Sequence, residues 1–227
     1  MIDVLEHMLM AYAAGGLAPQ ESLMVAALTA LNPNARKKVK HYEALHGRMI
    51  CEQEQAKVTD DCLAKLMGRI DGAPAEAPTV RAAEPPQQRP QALAEDLGIP
   101  LAVQTLIAGF CMNDRRCWDK MSRGFFKMEI RLQRVRTRKR LRLLRLLPGQ
   151  ATPPHAHRGI EMTLVLEGSY SDSTGTFNRG DIVILTDPRF IHQPKAGEQG
   201  CVCLTLTEAP LRFTDPLTRM MNAMWRV

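Results

Sequence analysis

The chain has 227 residues, 45% of them hydrophobic and 24% charged, with six cysteines and a formal net charge of +6. That length exceeds one small domain, and the balance is that of a globular protein, which excludes a chain disordered throughout. No apolar run reaches the ~18 residues of a membrane span, and the opening MIDVLEHMLM lacks a signal peptide's basic region and cleavage site, so a cytoplasmic location with no membrane partner is expected.

From Ile2 to about Asp71 the apolar residues recur at helical spacing: Leu5, Leu9, Tyr12 and Ala13; then Leu23, Ala26, Ala27 and Ala30; then Val39, Tyr42, Leu45 and Met49. Breaks fall at Gly15-Gly16 and at Asn32-Pro33, where glycine admits left-handed backbone and proline suits a first turn. A fourth helix is predicted over about Thr59 to Ile70, with Leu63, Leu66, Met67 and Ile70 on one stripe. The next segment, GAPAEAPTVRAAEPPQQRPQA, has too few large apolar side chains to fold alone and reads as an extended linker between two units free to move. The stretch from Leu97 to Asn113 is apolar, and helix or strand stays open there.

Beyond Trp118 the texture changes to short alternating or apolar runs, MEIRLQRV, LRLLRLLPG, IEMTLVLEGSY, GDIVIL and CVCLTLTEAP, separated by Gly, Asp and Pro. Many short strands with turn signals indicate a sandwich or barrel. The expected organisation is α+β: an all-α bundle over residues 1–72, a Pro-rich linker over 73–95, and an all-β unit over 96–227.

One constellation in the β region carries chemistry. In an extended chain residues two, four and six apart face one side, so His155, His157 and Glu161 can address a common interior point. Imidazole and carboxylate together suit Zn, Fe, Mn, Ni or Cu rather than Ca or Mg. His192, the remaining histidine on this side of the chain, follows the glycine turn and apolar run GDIVIL and can complete the set from a second strand. Cys201 and Cys203 share strand parity, which points both thiols to one face as core-filling groups or as a redox-sensitive pair.

These residues resemble the cupin superfamily. Its first motif, G-x5-H-x-H-x3-E-x6-G, is matched at every specified position from Gly149 to Gly168. Its second is matched in part: Gly180 is present, Thr186 and Pro188 occupy the proline and glycine positions, and His192 sits one residue late. The resemblance implies a double-stranded β-helix (jelly-roll) barrel. Further stretches, MLMAYAAG from Met8 to Gly15, HAHRGIEMTLVLEG from His155 to Gly168, and APLRF from Ala209 to Phe213, are similar to the ChrR anti-sigma factors over nearly the whole chain. That resemblance implies a helical domain that binds an extracytoplasmic-function (group IV) sigma factor. It also implies a cupin whose zinc ligands fall on His155, His157, Glu161 and His192, acting in a response to singlet oxygen or related oxidants. Zinc is therefore the expected metal, one per chain, with Fe, Mn and Ni left open.

The family's other zinc site, in the helical domain, is absent: its ligand positions fall on Asp3, Leu28, Asn32 and Ala35. A bundle without that metal must be held by packing. The densest charge, thirteen Lys and Arg from Arg115 to Arg145, lacks interleaved aromatics for base stacking; it reads as a solvated outer barrel face, with Ile130, Leu132, Leu141 and Leu143 pointing elsewhere and no direct DNA binding. The alternative to a regulator is a cupin metalloenzyme such as a dioxygenase, with the same four residues holding Fe or Mn.

Overall fold

The computed structural model describes residues 3–57, 59–72, 118–132, 137–209 and 212–213. The expected linker, the apolar stretch from Leu97 to Asn113, Cys111, Cys117 and the basic residues Arg115, Arg116, Arg134 and Arg136 lie outside these.

Four helices come first: α1 (Val4–Ala13), α2 (Pro19–Leu31), α3 (Pro33–Cys51) and α4 (Cys62–Asp71). The breaks fall where glycine and proline place them. Proline opens both α2 and α3, where its missing N–H costs nothing. The Asn32 side chain accepts from the backbone N–H groups of Asn34 and Ala35 at 3.0 and 3.1 Å, a cap that covers two of the four orphan donors of α3. Leu9, Met24, Val25 and Leu28 are fully buried between α1, α2 and α3. The fourth helix starts at Cys62 rather than near Thr59, and its stripe is bare: Leu63, Leu66, Met67 and Ile70 are all exposed among the described residues.

Among the described residues nine strands follow: β1 (Asp119–Ser122), β2 (Phe125–Ile130), β3 (Arg140–Leu146), β4 (His155–Ala156), β5 (Glu161–Asp172), β6 (Gly175–Asn178), β7 (Ile182–Leu185), β8 (Lys195–Thr207) and β9 (Arg212–Phe213). The antiparallel main sheet runs β1-β2-β3-β8-β5-β6, with β7 also on β5, and β4 pairs with β9 in a small second sheet. The long strands β5 and β8 form its centre and bend at two register shifts. At the bend Gly168 has φ +66°, and a Cβ there would lie 2.1 Å from the Gly200 carbonyl oxygen, so the glycine that closes the histidine motif is where two backbones touch.

The sheet's two faces have different partners. Outward, Ile130, Leu141, Leu143, Leu164 and Leu204 join Leu9, Met24 and Leu28 of the bundle in a single core cluster, and α2 lies against β5 and β8. Polar ties fix the same contact: Lys139 Nζ bridges Glu21 of α2 (2.5 Å) and Glu208 (3.1 Å), and Asn32 Nδ2 donates to the Gly180 carbonyl at 3.2 Å. Bundle and barrel thus share one core, while the barrel interior holds a second cluster around Phe125, Leu146, Val165 and Tyr170.

Strand parity reverses the expectation for part of the basic run, while Lys120, Arg123, Arg131 and Arg138 are exposed. Ile130, Leu141 and Leu143 face out, beneath the bundle, while Lys127 and Arg142 face the barrel interior and are buried. A sheet whose outer face is covered by helices must be apolar there, which turns the alternate, polar positions inward.

Candidate metal centre

The centre is assembled from three places. β4 carries His155, with His157 just after it; β5 begins at Glu161; and His192 lies opposite β4, exchanging both backbone hydrogen bonds with His155 at 3.0 Å. Strand parity does not carry the chain from His155 to Glu161, because residues 157–160 are not strand. A turn with Gly159 at φ +97° delivers the carboxylate instead, and a side chain on Gly159 would collide with Glu208.

All four side chains are buried, and one ligating atom from each lies within 4.8 Å of the others. The second nitrogens of two histidines are committed. His155 Nδ1 donates to the Pro153 carbonyl at 2.8 Å and His192 Nδ1 to the Asp172 carboxylate at 3.1 Å, which turns both Nε2 lone pairs inward. Those two Nε2 atoms are 3.1 Å apart, and His157 Nε2 is 2.9 Å from His192 Nε2. Glu161 Oε1 accepts from Thr163 Oγ1 at 2.9 Å; Oε2 lies 2.5 Å from His157 Nδ1, close enough for an ion pair though not aligned as a hydrogen bond.

Electrostatics distinguish this group from four ordinary surface residues. Burial pushes His155 down to about 4, helped by neighbouring His192, and His157 further down, so the imidazoles are neutral at physiological pH. Burial also lowers His192, with Asp172 pulling the other way. Burial raises Glu161 to about 7, against the opposing Thr163 hydrogen bond and Arg142 charge. The one proton of neutral His157 can bridge a single nitrogen contact and leaves the lone pairs of His155 and His192 facing each other. A divalent cation among them relieves that repulsion and compensates the Glu161 carboxylate, and the N3O donor set suits a first-row transition metal. The residues present therefore fit a metal.

Cys201 and Cys203 line the barrel cavity with their Sγ atoms 3.3 Å apart, as reduced thiols. The Cys201 hydrogen bond and burial raise Cys203 well above an ordinary thiol, which keeps it protonated and a poor nucleophile. At the positions where the resembled family has its second zinc site, Leu28 is fully buried core, Ala35 is buried and Asn32 is the α3 cap. Asp172, which orients His192, carries no sequence signal: in SDSTG it reads only as a hairpin turn, and its Oδ1 does accept from Thr174 N at 2.8 Å. Arg142 and Lys127 in the interior were hidden within the basic run.

Comparison with known proteins places these features. Residues 112–210 match the model of the ChrR cupin-like domain. Over 228 aligned residues the chain is 33% identical to the anti-sigma-E factor ChrR of Cereibacter sphaeroides, covering 99% of this chain and 97% of that protein. The fold superimposes with a TM-score of 0.67 and 28% identity on ChrR in the crystal structure of the Rhodobacter sphaeroides SigE–ChrR complex, over 89% of this chain and 96% of that one.

Proposed function

The chain belongs to the ChrR anti-sigma factor family, and from that premise we propose that it sequesters a group IV sigma factor through its helical half, under the control of zinc held by His155, His157, Glu161 and His192. The observation that carries the reading is that likeness to an anti-sigma factor spans 99% of the chain, so the bundle and the barrel come together. A cupin enzyme would have no need of the bundle.

The exposed surface supports a protein partner. Besides the bare stripe of α4, Leu45, Met49 and Ile50 on the last turns of α3 are exposed, Ile50 at 72% and Leu63 at 69%. Isolated exposed apolar residues need no explanation, but seven concentrated on two consecutive helices offer the apolar surface that a protein partner would cover. Four protein ligands fill a tetrahedral zinc site, which suits a structural or sensory role better than an open catalytic one. When bound, the metal supplies the positive charge that fixes three neutral imidazoles and a carboxylate in one place. This chain's own residues do the rest: Asp172 and the Pro153 carbonyl hold the rings, Thr163 holds the carboxylate, and the shared core transmits any rearrangement of β5 or β8 to α2.

The decisive experiment is co-expression of the full chain with the group IV sigma factors of its own host, followed by size-exclusion chromatography. An equimolar complex is expected, broken by the pair Leu66→Glu and Ile70→Glu, which lie on the exposed stripe and leave the core intact. A metal-loaded chain that captures none of them would sink this reading.

A further inference from the structure

The barrel interior beside the metal centre has a chemistry that the metal does not use. The cavity is about 60 Å³, well above the roughly 10–15 Å³ that one water needs. Among the described residues, its buried polar atoms without a hydrogen-bond partner are Arg142 Nε and Nη2, Thr152 Oγ1 and Thr207 Oγ1. Each can donate a hydrogen bond, and guanidinium can do nothing else. Arg142 is 3% exposed, and leaving such a charge without a partner is among the costlier arrangements a protein core can hold.

Among the described residues, the acids nearby do not answer it. Glu161 senses Arg142 electrostatically, yet its oxygens are taken up by Thr163 and His157. Glu129 ion-pairs with Arg131 and Arg140 at the surface. A second buried cation, Lys127, feels the Arg142 charge as well. A divalent ion at the centre would make the interior more positive still.

The register sorts the lining into two halves. Arg142, Thr205 and Thr163 stand opposite one another across β3, β8 and β5, with Thr207 and Glu161 one pair further on. In the other direction come Leu144 beside Cys203, then Leu146 beside Cys201 and Phe125. A ligand matching both halves is an anion at one end and apolar at the other. We propose that the barrel of this chain binds a short-chain carboxylate, its two oxygens received by the Arg142 guanidinium with Thr207 and Thr152 alongside, and its short tail against Leu144 and Phe125. A planar carboxylate accepts the two parallel bonds of the guanidinium fork, which single-point anions such as chloride cannot.

The proposal does not depend on the sigma partner and rests on the metal reading only for added positive charge. The test is calorimetric titration of the full chain, zinc-loaded and chelator-stripped in parallel, with sodium acetate, sodium propionate, inorganic phosphate and sodium chloride at constant ionic strength. Saturable binding of acetate or propionate is expected, weakened about tenfold or more by Arg142→Gln, the loss of one charge-assisted pair. Arg142→Met should also raise the melting temperature in carboxylate-free buffer, because it removes the unpaired charge, and should abolish the rise that acetate gives the parent chain. If Arg142→Met does not fold, Arg142→Lys keeps the charge without the fork and should still bind acetate more weakly. Absence of saturable carboxylate binding in both forms overturns the proposal. So does equal binding by Arg142→Gln, or phosphate binding in preference to carboxylate. Failure to take up zinc with carboxylate binding retained overturns the metal reading alone.

Discussion

His192 is held by Asp172: the imidazole Nδ1 donates to the buried carboxylate at 3.1 Å, which turns Nε2 toward His155 and His157. The contact joins the last residue of β5 to a loop histidine twenty positions later, and it fixes a tautomer that a free imidazole would adopt only part of the time. Asp172→Asn keeps the shape and removes the charge. It should weaken zinc binding 10- to 100-fold, the usual cost of losing a carboxylate behind a ligating histidine. Competition against a chromophoric chelator measures this directly; an unchanged affinity would mean that packing alone orients His192.

Direct substitution of the ligands makes a sharper distinction. His155→Ala, His157→Ala and Glu161→Gln each remove a contributing atom from a group gathered within 4.8 Å. Each should reduce bound zinc from one per chain to a small fraction under mild dialysis, measured by elemental analysis, with the helical circular dichroism unchanged. His41→Ala and His7→Ala, at exposed positions on the bundle, should leave the metal content as it was.

How much of this was legible beforehand follows from the range of each interaction. The helix breaks at Gly15 and Asn32-Pro33 are local, and the chain folds as they indicate. The gathering of these side chains was legible because the spacing of His155, His157 and Glu161 is itself a motif, even though the turn at Gly159, not strand parity, brings Glu161 round. What stayed hidden is non-local. Which face of β3 is inside depends on the bundle covering the other face, so Arg142 looked like a solvated residue and Leu143 like interior. Asp172 acquires its role only once β5 has passed the whole barrel to reach His192.

The bundle's own stability should owe nothing to metal. Leu28 is fully buried where the family has a zinc-binding histidine, so Leu28→Ala removes a filled volume and should cost about 2–5 kcal/mol. Urea denaturation followed by helical dichroism measures it, and the loss should be the same with and without chelator. A loss that appears only when zinc is present would contradict a bundle held by packing.

The bundle–barrel contact should likewise be apolar in its energetics. Lys139 is partly exposed at 31%, so its bridge to Glu21 and Glu208 is screened by water, and Lys139→Ala should cost under about 1 kcal/mol. Leu204→Ala, at a fully buried β8 position in the core that the two parts share, should cost about 2–5 kcal/mol and make the bundle more susceptible to limited proteolysis. Comparable losses from the two substitutions would assign the docking to electrostatics.

The pH dependence of metal binding follows from opposite shifts in one site. Burial holds His155 near 4, below its ordinary 6.5, and raises Glu161 from 4.5 to about 7. In the metal-free chain at pH 6 His155 and His157 have therefore already lost their ring charge, and the carboxylate holds a proton that zinc must displace. Calorimetry in buffers of different ionisation enthalpy should find about one proton released at pH 6 and none at pH 8, with affinity rising up to tenfold per pH unit below 7 and levelling above it. The stability signs follow from the same shifts. Between about 4 and 6.5 the unfolded chain binds more protons on its histidines, so they add stability as pH rises. Glu161 works oppositely from about 4.5 to 7, where the folded metal-free chain keeps a proton that the unfolded chain has given up, so its contribution falls as pH rises. Between pH 6.5 and 7.5 the unfolded histidines are still giving up their protons, so the two contributions nearly cancel and the metal-free chain should change little in stability, while the zinc-loaded chain, with Glu161 already ionised, should gain. Thermal melts of both forms across that interval check the difference, and a metal-free chain that gains as steeply as the zinc-loaded one would mean that Glu161 carries no proton there.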